Sequence, residues 1–454
     1  MDTIAAIATP PGKGAIGILR ISGPAVSNVA QELLGRLPAP RSAELSTFHA
    51  ADGSAIDQGL ALYFPAPASY SGEDMLELQG HGGPIVQDAL LRRALQLGCR
   101  SARPGEFSER AFLNGKMDIA QAEAVADLID ASTDAAARAA VRSLQGAFSL
   151  RVRELQAQLT ELRAYVEAAI DFPDEEIEFL ASGALAVRLK RLLQAFDALA
   201  LAARQGALLR DGLTVVIAGK PNAGKSSLMN LLAGTDVAIV AESPGTTRDV
   251  LRERIQLDGI ALHLIDTAGL RASPDAIEAE GIRRALREMQ SADRLLYLID
   301  ATAHSADLQS DPLPASVRQE LALLPDRVPV TVVFNKIDLL GVPSFTDAAA
   351  TPARVALSAR SGEGIDALRA HLRASAGLVG SDAAVMSARR RHLDALERAR
   401  AHAQAAAAAL TERRTAELSA EDLRLAQQAL AEITGEFTSD DLLGEIFGSF
   451  CIGK

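Results

Sequence analysis

VVIAGKPNAGKSSLMN, residues 215 to 230, decides the fold of this chain. Val215, Val216, Ile217 and Ala218 form a continuous apolar run that leads directly into Gly219-x-x-x-x-Gly224-Lys225-Ser226. A helical apolar pattern begins immediately afterwards. A buried strand that delivers its carboxyl end into a glycine loop, with a helix opening behind it, is a phosphate cradle. The glycines let backbone N–H groups wrap the phosphates, and the helix N-terminus adds a favourable dipole. In that pattern Lys225 reaches the β- and γ-phosphates and Ser226 takes Mg²⁺. Eight residues alone can arise by chance. The strand before them and the helix after them make the signal specific.

Working outward, three more buried-type strands end in polar residues, where sites form in α/β sheets. HLIDTAGL (residues 263–270) places Asp266 at a strand end, with Gly269 able to turn towards a γ-phosphate. RLLYLID (294–300) follows, then PVTVVFNKID (329–338), which contains Asn335, Lys336 and Asp338. LSARSGEG (357–364) adds Ser358, Ala359 and Arg360. The paired oxygens of Asp338 suit the N1–H and 2-amino donors of guanine, whereas adenine presents an acceptor there, so the expected nucleotide is GTP. Four motifs in this order resemble the translation-factor class of P-loop GTPases. The resemblance implies a nucleotide site made of Asn222, Ala223, Gly224, Lys225, Ser226 and Ser227; Ala241, Glu242, Ser243, Pro244, Gly245, Thr246 and Thr247; Asp266, Thr267, Ala268 and Gly269; Asn335, Lys336 and Asp338; and Ser358, Ala359 and Arg360.

Ras-type enzymes orient the attacking water with a glutamine just after the glycine of the aspartate loop. Here Leu270 stands there, and a hydrocarbon cannot polarise water. AESPGTTRDV (241–250) lies where the first switch should be, with Thr247 the natural second protein ligand for Mg²⁺. Asn222 together with this Gly-Thr-Thr-Arg-Asp switch resembles the potassium-stimulated GTPases that pair their G domains. The resemblance implies a K⁺ site formed by Asn222, Ala241, Ser243 and Thr246, which meets the same electrostatic need as an arginine finger, worth about 10³–10⁵ in rate. It also implies that a glutamate after the second switch aligns the water. Glu278 matches that position, and a solvated helix face is the alternative for it.

The remaining sequence sets the surroundings. A chain of 454 residues implies about three domains. Hydrophobic residues at 48% and charged residues at 23% are typical of a globular protein. No run of eighteen apolar residues suggests a membrane span, and the amino terminus lacks the basic segment of a secretory signal. Cys99 and Cys451 are the two cysteines, too few for a disulfide framework, so a reducing cytoplasm is expected. The net charge of −12 and the absence of tryptophan argue against a chain coated for nucleic acid. Any RNA contact would need a local patch or a partner.

Short strand-like runs (residues 15–22, 60–65 and 75–79) and a helix opened by Pro84 make the first hundred or so residues α+β. Ala- and Leu-rich helical texture occupies residues 117–209 and returns after 379, on either side of the α/β stretch. Helices need partners for their apolar stripes. One helical domain built from both blocks and interrupted by the α/β domain is therefore expected, with two separate helical domains as the alternative. The expected layout is 1–115 (N-terminal), 116–210 (helical, first segment), 211–378 (G domain) and 379–454 (helical, second segment).

This layout resembles the tRNA-modification GTPase family MnmE, also called TrmE, within the potassium-activated TrmE/Era-type P-loop GTPases. The likeness runs through ATPPGKGAIGILRISG, GEDMLELQGHGGP, ARPGEFSERAFLNGKMDIAQAEAVADLIDA, EAAIDFPDEEIE and EITGEFTSDDLLGEIFGSFCIGK. The resemblance implies a folate-binding and dimerising N-terminal domain, a discontinuous helical domain and an inserted G domain. It further implies joint action with the flavoprotein MnmG (GidA), which brings FAD. Together the two would install an aminomethyl or carboxymethylaminomethyl group on carbon 5 of the wobble uridine of tRNA. The one-carbon unit would come from 5-formyl-tetrahydrofolate or a related derivative, and the chain would work as a homodimer that assembles with MnmG into a heterotetramer or larger.

The family's folate residues map onto Arg20, Glu77, Lys116 and Lys454. Cations suit a ligand with a glutamate tail, and Glu77 suits pterin donors. Arg20 and Glu77 also fit the polar face of a strand, and Lys116 the start of a helix. The terminal Cys451-Ile452-Gly453-Lys454 is a family signature that implicates Cys451 in the chemistry, as nucleophile, proton donor or contact. Thr438, Ser439 and Asp440 offer helix caps, and Leu442, Leu443, Ile446, Phe447 and Phe450 form an apolar stripe, so a packed helix is expected to hold the tail. His81 has no ligand companion and reads as structural. The alternative function is a ribosome-assembly or RNA-binding switch GTPase. Such proteins usually add a KH-like module or a second G domain, and this sequence has neither a basic GxxG clamp after the G domain nor a second P-loop. A folate enzyme with a vestigial G domain is disfavoured by the complete nucleotide motif set.

Overall fold

The computed structural model describes residues 2–171, 183–235, 252–257, 259–266, 289–290, 292–304, 308, 313–322, 324–325, 328–376, 385–410, 415–436 and 440–453. The chain divides into two compact units. One comprises Met1–Ile129, Val141–Asp197 and Asp394–Lys454, the other Asp130–Ala140 and Ala198–Leu393.

The first unit begins with β1 (Ile4–Ile7), β2 (Gly14–Ser22), α1 (Val26–Leu34), β3 (Glu44–His49), β4 (Ala55–Phe64), β5 (Met75–Gly82), α2 (Pro84–Gln96), β6 (Arg100–Ser101) and α3 (Glu106–Leu113). Its six strands order as β3-β4-β5-β2-β1-β6. The two-residue period of a strand splits β2 between the faces of the sheet. Leu19 and Ile21 enter a core with Leu76 and Leu78 of β5, Val29 and Leu33 of α1, and Leu90 of α2. Arg20 lies between them, paired in register with Glu77 on one side and Ala6 on the other. Ala6 belongs to the opposite apolar cluster, with Ile4, Ala102 and Phe107. One face of the sheet is thus a helix-covered core, and the other carries a charged pair.

Helices α4 (Ile119–Asp130), α5 (Asp134–Leu144), α6 (Ala147–Asp171) and α7 (Gly183–Asp211) follow. The sequence reads long helices here, with DIAQAEAVADLIDASTDAAARAAVRSLQGAF (118–148) as one continuous stretch, and the structure divides that stretch. The chain breaks at residues 131–133, where the Thr133 hydroxyl accepts the Ala136 N–H at 3.1 Å and caps a new helix.

The second unit contains β7 (Leu213–Gly219), α8 (Lys225–Thr235), β8 (Arg252–Leu257), β9 (Ile260–Asp266), β10 (Arg294–Asp300), α9 (Ala315–Leu321), β11 (Val330–Asn335), β12 (Phe345–Asp347), β13 (Ala353–Ala356) and α10 (Ile365–Ser375). The sheet order is β12-β13-β11-β10-β7-β9-β8. β13, β11, β10, β7 and β9 are parallel neighbours, and antiparallel strands close each edge. Both faces are buried, as parallel sheets require. Val215 and Ile217 join a core with Leu228 and Leu232 of α8, whereas Val216 and Ala218 join one with Val317 of α9. Strand β7 is flanked by β9 on one side and β10 on the other, so the glycine loop leaves the sheet at its topological switch point, where α/β folds bind ligands.

Helices α11 (Arg390–Ala408), α12 (Ala416–Thr434) and α13 (Asp440–Gly448) end the chain. α12 packs along α6 in the first unit, where Arg163 donates to Gln427 Oε1 at 3.1 Å and Gln427 donates to the Thr160 hydroxyl at 2.7 Å. No described helix is long and apolar enough to cross a membrane.

Candidate functional site

The glycine loop after β7 has the backbone its sequence demands. Gly219 and Gly224 lie at φ +145° and +97°. A side chain at 219 would put its Cβ 2.4 Å from the Leu298 carbonyl, and one at 224 would come 2.1 Å from the Asn335 amide nitrogen. Asn222 also adopts the left-handed region at φ +64°, where asparagine is among the tolerated residues, and its side chain is exposed. Lys225, the first residue of α8, is buried, and its ammonium donates to the carbonyls of Gly219 and Lys220 at 3.0 and 2.9 Å. The loop is therefore closed around its own cation. Ser226 and Ser227 are exposed in the first turn of α8.

Two further loops meet this one. Asn335 ends β11 with a buried side chain that joins all three: its amide donates to the Ala223 carbonyl at 2.8 Å, while its oxygen accepts the N–H groups of Lys336 and Ala359 at 2.8 and 2.9 Å. The structure thus places Asn335 as a tie between loops. Lys336 sits at φ +71° and its ammonium is 2.6 Å from Asp300 Oδ2 at the end of β10. Burial works to raise the Asp300 pKa, but the Lys336 contact and the Thr302 hydroxyl outweigh it and leave it below the usual range. Asp338 is exposed in the short 3₁₀ turn Ile337–Leu339. Ser358 is fully buried, with its hydroxyl accepting the Ser361 N–H at 3.1 Å, and Arg360 is exposed beside the buried Ala359. Asp266 closes β9 opposite Ile217 in register. Ala241, Glu242, Ser243, Pro244, Gly245, Thr246, Thr247, Thr267, Ala268, Gly269, Leu270 and Glu278 lie outside the described residues, as do Thr438, Ser439 and Lys454.

A second constellation occupies the polar face of the N-terminal sheet. Arg20 binds Glu77 Oε1 through Nε at 3.0 Å and Nη2 at 2.9 Å. Its guanidinium lies 5.3 Å from the Tyr70 ring centroid and 5.7 Å from that of Phe107. These are cation–π distances. Neither ring was marked by the sequence pattern; aromatics in the SYSGED and GEFSER stretches, close to the charged strand residues, were the available signal. The remaining Arg20 nitrogen, Nη1, donates to the Gly453 carbonyl at 3.3 Å. The carboxyl-terminal tail therefore reaches this site. Lys116 is exposed, and its ammonium donates to the Pro67 carbonyl at 3.0 Å on the loop that carries Tyr70. Cys451 is exposed, whereas Cys99 is buried and its thiol is pushed up to about 11 by that burial. His81, which is exposed, bonds Asp57 at 2.7 Å. Among the described residues no group of His, Cys, Asp and Glu could hold a metal ion.

Beside this site Arg110 joins Asp2, Glu73 and Glu106, and Arg100 joins Asp2 and Glu106. Burial is the largest influence on Glu106 and favours its neutral form, but Arg100, the Arg103 N–H and Arg110 outweigh it and hold the carboxyl at about 2. The network locks α3, and with it Phe107, against the sheet.

Comparison with known proteins bears on the family of the chain. The profile of the GTP-binding protein TrmE N-terminus matches residues 3–116, and that of the MnmE helical domain matches residues 119–451. The tRNA modification GTPase MnmE of Proteus mirabilis (strain HI4320) is 56% identical over 454 residues, covering 100% of this chain and 99% of that protein. Among solved structures, the G domain of the T. maritima FeoB iron transporter aligns at 25% identity with a TM-score of 0.26, covering 36% of this chain and 98% of that one. An Era variant of Aquifex aeolicus bound to GDP and aluminium fluoride aligns at 23% identity and the same TM-score, over 42% of this chain and 66% of that one.

Proposed function

The chain belongs to the MnmE family of tRNA modification GTPases, and on that premise we propose that its GTP hydrolysis drives modification of the wobble uridine together with MnmG. The product is an aminomethyl or carboxymethylaminomethyl group on carbon 5 of that base, built from a tetrahydrofolate one-carbon unit. The family match over the whole chain favours this over a ribosome-assembly switch. We assign the four segments 1–115, 116–210, 211–378 and 379–454 to the folate-binding domain, the first helical segment, the G domain and the second helical segment.

The observation that carries the GTPase half is the glycine loop with Lys225 at its centre. Lys225 donates to two carbonyls of its own loop, so phosphate oxygens can replace those acceptors without a large movement of the ammonium. Asn335 fixes the spacing between the phosphate loop and the two loops read as guanine-specific, so Asp338 and Ala359 meet the base at a set distance from the phosphates. Ser226 and Thr247 are assigned to Mg²⁺. Asn222, Ala241, Ser243 and Thr246 are assigned to K⁺, and Glu278 to the attacking water. The exposed Ser226 at the start of α8 and the left-handed, exposed Asn222 suit those donor roles. The two cations supply positive charge against the β- and γ-phosphates.

The folate half rests on Arg20, Glu77, Lys116 and Lys454. Glu77 accepts from Arg20 and has a second oxygen to offer pterin donors, while the face of Arg20 is held by two rings. Nucleoside mass spectrometry of tRNA from a deletion strain tests the proposal. Complementation with this chain should restore the modified wobble uridine, and Lys225→Ala should not. Full restoration by Lys225→Ala would sever GTP turnover from the modification.

A further inference from the structure

Chain ends fray unless they are tied down, and this one is tied at three points within the first unit. The α13 stripe, Leu443, Ile446, Phe447 and Phe450, packs on Phe112, Met117 and Ile119. Next, the Gly105 N–H donates to the Cys451 carbonyl at 3.3 Å. Gly105 itself sits at φ +66°, and a Cβ there would meet the Phe447 carbonyl at 2.5 Å and Phe450 Cβ at 3.0 Å. Last, Gly453 turns at φ +96°, where a Cβ would sit 2.6 Å from the Ile7 carbonyl and 2.9 Å from Ala8 Cα, and its carbonyl accepts from Arg20. Both contacts involve backbone on both sides, so neither can be relieved by a side chain swinging away.

Arg20 is already fixed from three directions before the tail is considered: Glu77 holds one edge and Tyr70 and Phe107 its face. It is a rigid donor waiting for one carbonyl. Between the two glycine joints lies Cys451, exposed, with its backbone held on one side by Gly105 and, two residues on, by Gly453. A helix anchor alone would leave residues 451–453 free to swing. The two joints remove that freedom.

We propose that Gly105 and Gly453 are positioning residues, two backbone joints that, with Arg20 as receptor, hold the backbone of Cys451 two residues from the carbonyl that Arg20 binds, and so fix where its thiol stands. The inference deepens the function proposed above and rests on the participation of Cys451 in the modification. Neither glycine touches the reacting atoms. Each acts by setting where the thiol stands. A side chain at either joint adds a left-handed backbone cost of about 1–2 kcal/mol, or about tenfold, before any clash.

The test uses the full chain with a trifluoromethyl label on Cys451, which is exposed while Cys99 is buried. A docked tail gives a broad ¹⁹F line. In Gly453→Ala and Gly105→Ala the line should narrow, and in the unlabelled variants wobble-uridine modification should fall at least about tenfold, with GTP turnover unchanged as the control for folding. A line that stays broad, or modification at the wild-type level with a narrowed line, overturns the inference. Cys451→Ser separates the premise: if it modifies tRNA normally, the role given to the cysteine fails, whereas a dead Cys451→Ser beside an active Gly453→Ala defeats only the positioning claim.

Discussion

At the scale of single residues, the phosphate loop shows how tightly backbone and side chain constrain each other. Gly224 is needed twice: for φ +97°, and because the Asn335 amide occupies the space a Cβ would take. That amide is not free to retreat, because it bonds Ala223 and its oxygen holds two N–H groups. Gly224→Ala should therefore weaken binding of a fluorescent GTP analogue by about five- to thirtyfold, from the left-handed backbone cost alone. An affinity within twofold of wild type would mean the loop relaxes freely. The same tie explains what the sequence left unread. Asn335 is legible as part of a nucleotide motif, but its use as a brace between three loops depends on partners 24 and 112 positions away. Arg20 and Glu77 are legible as polar interruptions of apolar strands. Their partnership with Tyr70, Phe107 and Gly453 is not, since no local pattern links residues 20 and 453.

At the scale of elements, α3 is pinned by charge as much as by its apolar side. Its Glu106 and Arg110 are buried and belong to the network with Asp2, Glu73 and Arg100. A carboxyl whose folded pKa lies below its unfolded one stabilises the fold in full above the unfolded value and loses that contribution as pH falls. For Glu106 the window runs from 4.5 down to about 2. Glu106→Gln should therefore be clearly less stable than wild type at pH 7 in urea unfolding. The gap should shrink as pH drops through that window. A difference constant from pH 7 to pH 2 would show that the charge on Glu106 is not what holds α3. Element types were largely readable: the apolar runs at residues 15–22 and 213–219 are β2 and β7, and Pro84 does open α2. The break between α4 and α5 is not legible in the sequence, because alanine-rich texture continues through it and one hydroxyl cap outweighs the propensity of its neighbours.

At the scale of the whole molecule, catalysis is expected to need more than one chain. Leu270 replaces the water-orienting amide of Ras-type enzymes, and on the function proposed above a bound K⁺ and a paired G domain would supply the missing charge and alignment. GTP turnover should be several-fold to orders of magnitude faster in KCl than in NaCl at equal ionic strength. Spin-label distances between G domains should shorten in the GDP–aluminium fluoride state. Equal rates in the two salts, with distances unchanged, would return the reaction to a single chain acting without K⁺.

Local pattern along the chain marks the α/β nucleotide domain, the helical blocks on either side of it and the family to which the chain belongs. Those rest on local periods, glycine spacing and ordered motifs, which are written along the chain. It takes the folded chain to reveal that the carboxyl-terminal tail closes on a strand near the amino terminus, and that one asparagine braces three loops. Contacts of that kind depend on which distant backbones meet after the apolar faces are buried, and burial is non-directional: it drives segments together without naming the polar partners they will find.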